Sequence, residues 1–388
     1  MARYRKKKKV PVWYILLTLL LAVAAAWLTV NFLGWGALHV GVPGGGVQSE
    51  PMNLSVMDRF DMQMTNKISS ALEGVLSIEK VYWLSDDDQI APEPNQDKFG
   101  TTSDPAQLEG FLQEAKELLG VESTLFTTGI KLHAGSQITY YLDETIMCIT
   151  WKQLINGTVY TLSEVQIAHP SQFRRFLADG VYGSDKQYVT TQMAATVNAV
   201  TASSGDFYKF RPTGIKVYDG QVMHFNNSID TLFITDEGDL LFSYRRELAN
   251  KEAAQQFVDE NNVRFSLAFG PVLVHDGQLA KIPMDYGLGE VKNNQHYPRA
   301  AIAQMPGNLH YLLVTANQDP DRDVLHVPTM TEFAAQMAAF GAEQAYALDG
   351  GQTAVIVTND KLINRPSYGY QRQISDIIYF ATAIPDGE

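Results

Sequence analysis

The sequence predicts an α+β fold: mixed, mostly antiparallel β-sheets with flanking helices, preceded by one N-terminal transmembrane helix. Three observations carry this expectation. From residue 125 onward, short β-rich runs are punctuated by turn pairs such as Asn156-Gly157, Asp219-Gly220 and Asp276-Gly277, which favour the left-handed backbone of tight hairpins. Helical periodicity is confined to a few short stretches, among them 105–119, 250–261 and 331–341. Residues 10–42 hold no Asp, Glu, Lys or Arg at all.

The chain has 388 residues, 45% of them hydrophobic, enough for one large domain or two small ones. Six of its 30 Lys and Arg stand at Arg3, Arg5 and Lys6 to Lys9, which leaves 24 against 43 Asp and Glu in the remainder. A body this acidic excludes a nucleic-acid partner. Residues 12–33 are apolar over the roughly 20 residues a bilayer requires. The basic cluster before them places the N-terminus in the cytoplasm and the rest outside. A cleaved signal peptide, with Ala24-Ala25-Ala26 as its small-residue site, is the competing reading. The apolar run continues through Trp27, Leu28, Val30, Phe32 and Leu33 and favours the anchor. The single cysteine, Cys148, rules out an intramolecular disulfide framework, and its apolar run (146–149) reads as a buried thiol. An exported chain without disulfides suits a bacterial cell surface.

In chain order, the organisation read from these shifts is a basic tail (1–9), the anchor (10–33), a flexible linker (34–52), an N-terminal helical and β-rich region (53–158) and a C-terminal domain (159–388). Phe60, Met64, Ile68 and Leu72 share a helical face. Residues 85–103 are polar, Pro-containing loop, including Asp86-Asp87-Asp88. Ser103-Asp104-Pro105 caps a helix running to Leu119. Strands follow at 138–141, 146–151 and 159–167, then short helices at 170–178, from the spacing of Phe173, Phe176 and Leu177, and at 191–200.

Two short stretches carry the chemistry. Ala345 to Val355 reads as a buried strand, a turn at Asp349-Gly350-Gly351 and a second buried strand; the glycines let backbone approach a neighbour closely. Its bland reading is a structural hairpin with an Asp at its corner. The second stretch, Ser203-Ser204-Gly205-Asp206-Phe207-Tyr208, is by the same standard a turn with core aromatics.

The segment from Thr331 through Asp349-Gly350-Gly351 resembles the signature of the phosphodiester glycosidase family, usually Asn-Leu-Asp-Gly-Gly-Gly-Ser. That family includes a lysosomal enzyme that removes N-acetylglucosamine from a phosphodiester on mannose. Ser204-Gly205-Asp206-Phe207 is similar to its Asn-Gly-Asp-Phe/Tyr, and Asn198-Ala199 to the end of the helix before it. Phe269-Gly270-Pro271-Val272-Leu273-Val274 resembles its Phe-Gly-Pro-x-Leu-Val strand. Pro298-Arg299-Ala300-Ala301-Ile302-Ala303 resembles Pro-Arg-Thr-Ala-Ile-Gly, and Ile363-Asn364-Arg365 with Arg372 its closing segment. The likeness spans about 159–384. The chain departs from the pattern at Ser204 (Asn in the family), Ala300 (Thr), Ala303 (Gly), Gln352 (Gly) and Ala354 (Ser). Ala316-Asn317-Gln318 stands where the family has Asp-Gly-Arg; Asp319, Asp321, Arg322 and Asp323 follow it.

The resemblance implies a hydrolase acting on a sugar-1-phosphodiester in a cell-surface phosphoglycan. Asp349 and Asp206 would be the catalytic carboxylates. Arg299, Arg372, Gly350, Gly351, Gly205 and Asn364 would bind substrate, the guanidinium forks matching phosphate oxygens. No cofactor is expected and no metal ligand is assigned, although the Asp residues leave a divalent cation open. The partners implied are the carbohydrate and, through one helix, the membrane. The alternatives are a catalytically degenerate phosphoglycan-binding or envelope-assembly protein and a surface protein that keeps only the fold.

Overall fold

A computed structural model describes residues 82–85, 90–206, 208–209, 211–283 and 294–385. The apolar segment 10–33, the linker, the helix expected at 58–76 and the Asp86-Asp87-Asp88 triplet lie outside these residues. Among the described residues no helix is long and apolar enough to cross a membrane. Residues 80–388 belong to one compact unit.

The architecture is layered, with mostly antiparallel sheets and a few helices. A nine-stranded sheet runs, in spatial order, Phe99–Thr102, Ile138–Leu142, Ile146–Ile155, Thr158–Ile167, His310–Asn317, Arg299–Gln304, Gln344–Leu348, Val272–His275 and Gln278–Leu279. A five-stranded sheet runs Lys361–Leu362, Ile356–Thr358, Thr201–Ser204, Asp376–Phe380 and Phe173–Leu177. A three-stranded sheet (Leu240–Ser243, Thr231–Thr235, Val263–Leu267) and a hairpin (Lys216–Tyr218, Gln221–His224) complete it.

One face of the large sheet buries Leu162, Val314, Ala301 and Ala347 against two helices, Glu109–Leu119 and Met330–Ala339. Its other face buries Val165, Leu313, Ile302 and Tyr346 against the two smaller sheets. Alternation along a strand decides which layer each side chain joins. Thus Leu232 and Ile234 face the large sheet, whereas Phe233 packs with Ala254 and Val258 of the helix Lys251–Glu260. A sheet buried on both faces explains why all ten residues of Thr158–Ile167 are buried.

Most helices begin where the sequence places them. Asp104 caps a 3-10 turn that leads into Glu109–Leu119, and Thr329 forms a reciprocal capping box with Glu332. Three expectations change. Pro170–Gln172 is only one 3-10 turn; Phe173–Leu177 is a strand paired with Asp376–Phe380. Phe173 stacks on Phe380 at 4.8 Å, and this sheet contact overrides a spacing that also suits a helix face. The loop expected at 85–103 contains an edge strand, Phe99–Thr102, paired with Ile138–Leu142. The boundary set at 158/159 falls at the turn of a hairpin whose arms pair from Ile155↔Thr158 to Ile146↔Ile167, so both arms share one sheet.

The small sheet is joined to the three-stranded sheet by buried charge. Arg175 lies 2.8 Å from Asp206 Oδ1 and 2.9 Å from Asp376 Oδ2, and it also donates to the Ser266 carbonyl. Lys216 Nζ is 3.2 Å from Asp206 Oδ2, which accepts from the Ala268 N–H at 2.8 Å. All four side chains are at most 3% exposed. Removing one partner from such a network strands the others in low dielectric. Arg175→Met is therefore expected to lose about 3–5 kcal/mol in urea unfolding. Adding Asp376→Asn should recover part of that loss. A loss under about 1 kcal/mol would show that the network is not what couples these layers.

Candidate active site

The turn at Asp349 is not a hairpin corner. Gln344–Leu348 ends in the large sheet, and after one 3-10 turn, Gly351–Thr353, the chain enters Ile356–Thr358 of the five-stranded sheet. Asp349 thus sits where the chain crosses between layers. Both glycines are required by the chain's own packing. A Cβ on Gly350 would lie 2.5 Å from the Pro298 carbonyl oxygen, and Gly351 adopts φ +68° with the Tyr297 hydroxyl 2.6 Å from its Cβ position. The Gly351 N–H donates to Pro298 O at 3.0 Å, so it is already committed to backbone rather than to a ligand.

Asp349 is 5% exposed and accepts from Arg372 at 2.6 Å. Burial raises its pKa above the ordinary carboxylate value; Arg372, the Thr353 hydroxyl and Arg211 offset this only in part. The Arg372 side chain is 40% exposed, so the pair has one dry and one wet end. Arg211, 4.5 Å above the Phe269 ring, carries a charge that acts on Asp349, Arg372 and Asp206. One carboxylate against two guanidinium ions leaves net positive charge.

Asp206 lies elsewhere, inside the Arg175–Lys216–Asp376 network. Burial alone would raise its pKa, but the Lys216 and Arg175 charges and the Ala268 N–H hold it below the usual range. Asp376 is shifted upward, first by burial, with Asp206 adding to the shift. Gly205 packs on that network: a Cβ there would meet Asp376 Oδ2 at 1.8 Å. Gly205 and Asp206 thus share a buried cluster that does not include Asp349.

Arg299 occupies a third position. It is 7% exposed, donates to Gln295 O at 2.7 Å, and its Nε has no hydrogen-bond partner. Among the described residues no carboxylate pairs with it, and burial lowers its pKa to about 10, which leaves it charged at neutral pH. Its backbone abuts Gly350, with the Cα 3.7 Å from the Cβ position there. Its guanidinium goes to Gln295 rather than to Asp349.

Asn364 is 4% exposed, and its amide bonds the Ile356 N–H, the Ala354 carbonyl and Asn317 Oδ1, all within 2.8 Å. Asn317, in the stretch that replaces Asp-Gly-Arg, is therefore part of a pin on the crossover strand. Asp319 pairs with His133 (2.8 Å) and Arg322 (3.0 Å), and Asp321 with Arg365. These groups line a separate cavity of about 150 Å³ with Asn317 and Asn364.

Sequence reading missed Arg211, Arg175, Lys216 and Asp376. The available signal for Lys216 and Asp376 was a single charge inside a largely apolar run, as in Ile215-Lys216-Val217, a pattern that demands a buried partner; Arg175, next to Arg174, carried no such signal.

Residues 193–381 match the family model described as phosphodiester glycosidase. No curated protein matches the sequence. Solved structures similar to the chain include a hypothetical protein from Synechocystis, at 14% identity and TM-score 0.48, covering 62% of this chain and 63% of that one. Another is the zebrafish N-acetylglucosamine-1-phosphodiester alpha-N-acetylglucosaminidase catalytic domain auto-inhibited by its pro-peptide, at 14% identity and TM-score 0.48, covering 69% of this chain and 93% of that one. The chain thus spans under two thirds of the Synechocystis protein's length. Residues 193–381 thus form a phosphodiester glycosidase-like domain, similar to that family over just under half of the chain.

Proposed function

We propose that the chain is a membrane-anchored hydrolase that cleaves a sugar-1-phosphodiester in a cell-surface glycan. The observation that carries this reading is Asp349, a nearly buried carboxylate held by a half-exposed Arg372 beside Arg211. Net positive charge at such a place suits a phosphodiester, and a carboxylate within it suits the reacting sugar. The charge-free stretch 10–33 behind a basic tail supports the anchor.

In this mechanism Arg372 and Arg211 hold the phosphate oxygens. Arg299, buried without a carboxylate, adds positive potential behind the Gly350 turn. Asp349 takes a proton from water as its oxygen attacks the anomeric carbon. The bond from that carbon to the phosphate oxygen breaks, and its electron pair leaves with the phosphate. The phosphate is already a good leaving group, so positioning and charge supply most of the catalysis. Asp206, with both oxygens bonded inside the protein, is assigned to holding Arg175 and Lys216 rather than to the chemistry.

A second reading, phosphoglycan binding without turnover, is favoured by Ala316-Asn317-Gln318. Asn317 serves as a structural pin, and Asp319 and Arg322 face a different cavity. Assay of the full-length protein on N-acetylglucosamine-1-phosphodiester donors separates the two. Hydrolysis should release free sugar, and Asp349→Asn should cut kcat at least about 100-fold. Donor binding without release by the wild type would establish the binding reading.

The pH profile tests the role of Asp349 directly. If its ionised form reacts, kcat/KM falls as pH drops through its raised pKa, so the acid limb lies above the ordinary Asp value of 3.8. Arg372 holds that pKa down, so Arg372→Ala should move the limb to higher pH. A limb that stays in place in Arg372→Ala would remove Asp349 from the reacting group.

A further inference from the structure

We infer that His296, His326 and Glu332 form a binding site for one divalent transition-metal ion of the Zn²⁺ class. The three side chains come from separate segments: the stretch before Arg299–Gln304, the loop before the helix Met330–Ala339, and the first turn of that helix. One ligand atom from each lies within 4.8 Å of the other two, and all three residues are exposed. Ligand atoms around tetrahedral zinc stand about 3.4 Å apart, given Zn–N and Zn–O distances near 2.0–2.1 Å. Small rotations of the exposed imidazoles toward the held Glu332 carboxylate would close that difference.

The hydrogen bonds behind the two imidazoles prepare them as ligands. His296 Nδ1 lies 2.7 Å from the Val327 carbonyl oxygen, which only accepts, and 3.9 Å from Glu332 Oε2; the proton then sits on Nδ1, and Nε2, with its lone pair, reaches the ion by a turn of this exposed ring. His326 Nδ1 lies 2.8 Å from Thr158 Oγ1, whose own proton can go to the His326 carbonyl at 3.3 Å. That direction again leaves Nε2 basic. An imidazole whose second nitrogen donates to a fixed acceptor is the arrangement found behind metal-bound histidines. Glu332 supplies the charge. Its Oε2 accepts from the Thr329 N–H and hydroxyl at 2.8 and 2.9 Å, which fixes the carboxylate beside the rings. Two imidazoles and one carboxylate suit zinc and its late first-row neighbours over Ca²⁺ or Mg²⁺, which prefer all-oxygen sets. Three protein ligands leave a fourth position for water.

A bound ion would clasp the 294–298 segment to the helix N-terminus, reinforcing the Tyr297 N–H to Pro328 O bond of 3.3 Å. Gln295, whose carbonyl accepts from Arg299, lies in that segment. The inference stands independently of the hydrolase reading, because its test measures metal rather than turnover.

The experiment takes tag-free, full-length protein, strips it with chelator and titrates Zn²⁺ against a chromophoric competitor, with thermal unfolding in parallel. One equivalent per chain and a raised Tm are expected, with no competition from excess Ca²⁺ or Mg²⁺. His326→Ala should weaken binding at least about tenfold, and Thr158→Val, which removes only the hydroxyl behind His326, by about tenfold. Glu332→Gln keeps a side chain able to form the capping box but loses the anionic ligand, so it should bind weakly while remaining folded. Absence of Zn²⁺ binding would overturn the site. So would one equivalent held equally well by wild type, His326→Ala and Glu332→Gln.

Discussion

The small sheet holds its place because Arg175 is buried between two carboxylates. Its guanidinium satisfies Asp206 and Asp376 at once and reaches the Ser266 carbonyl in the neighbouring sheet. The counts of charge are two acids against Arg175 and Lys216, so the cluster is neutral although almost no water reaches it. A neutral, fully bonded network tolerates low dielectric; an incomplete one does not. Gly205 is then dictated by its surroundings, since any side chain there would occupy the volume of the Asp376 carboxylate.

The large and five-stranded sheets meet through a second polar device. Thr150 and Ser163 of the large sheet and Thr201 and Thr358 of the small one form a closed ring of hydroxyls at 2.8, 3.0, 3.1 and 2.9 Å. All four are fully buried. Thr201 also donates to the Val357 carbonyl at 3.0 Å, so hydroxyls and backbone together satisfy the four side chains without a charge. Apolar faces alone leave the lateral offset of two sheets loosely set, whereas a ring fixes it to within a hydrogen-bond length. That offset positions the crossover at Asp349, because the chain leaves one of these sheets and enters the other there. Cys148 sits beside the ring, 3.5 Å from Ser163 Oγ, and its burial pushes the thiol pKa up to about 11.

Much of the local structure was legible because local chemistry decides it. Asn156-Gly157 and Asp276-Gly277 form tight turns at positive φ, and Asp104, Asn250 and Thr329 cap where they stand in the sequence. What escaped depends on partners distant in the chain. Phe173, Phe176 and Leu177 fit a helix by spacing, and only the strand Asp376–Phe380 makes them a strand. The Asp349 turn was legible as a close approach, but not as a passage between sheets. Its close neighbour proved to be Tyr297-Pro298 of the same chain. Asp206 was visible as a residue of interest, yet its partner Arg175 lies 31 positions away and Asp376 a further 170 from Asp206.

The replaced Asp-Gly-Arg stretch acquires a physical meaning from this arrangement. Asn317 ends a strand whose eight residues are all buried, and its amide joins Asn364 and the Ala354 carbonyl. Asn317 stands where the family has Gly, and a Gly there would leave Asn364 Nδ2 without the side-chain oxygen to which it donates at 2.8 Å. The Asn317 amide accepts from Asn364 and adds a second, longer bond to the Ala354 carbonyl at 3.3 Å, beside the 2.7 Å bond from Asn364. Asn317 and Asn364 therefore suit one another, and the departure from the family pattern is consistent with the packing around it. The positive charge beside Asp349 comes instead from Arg372 and Arg211, one reaching back from the C-terminal segment and one lying against Phe269. The carboxylate of the crossover is thus kept while the cations around it come from other segments of the chain, which changes the shape of what surrounds it.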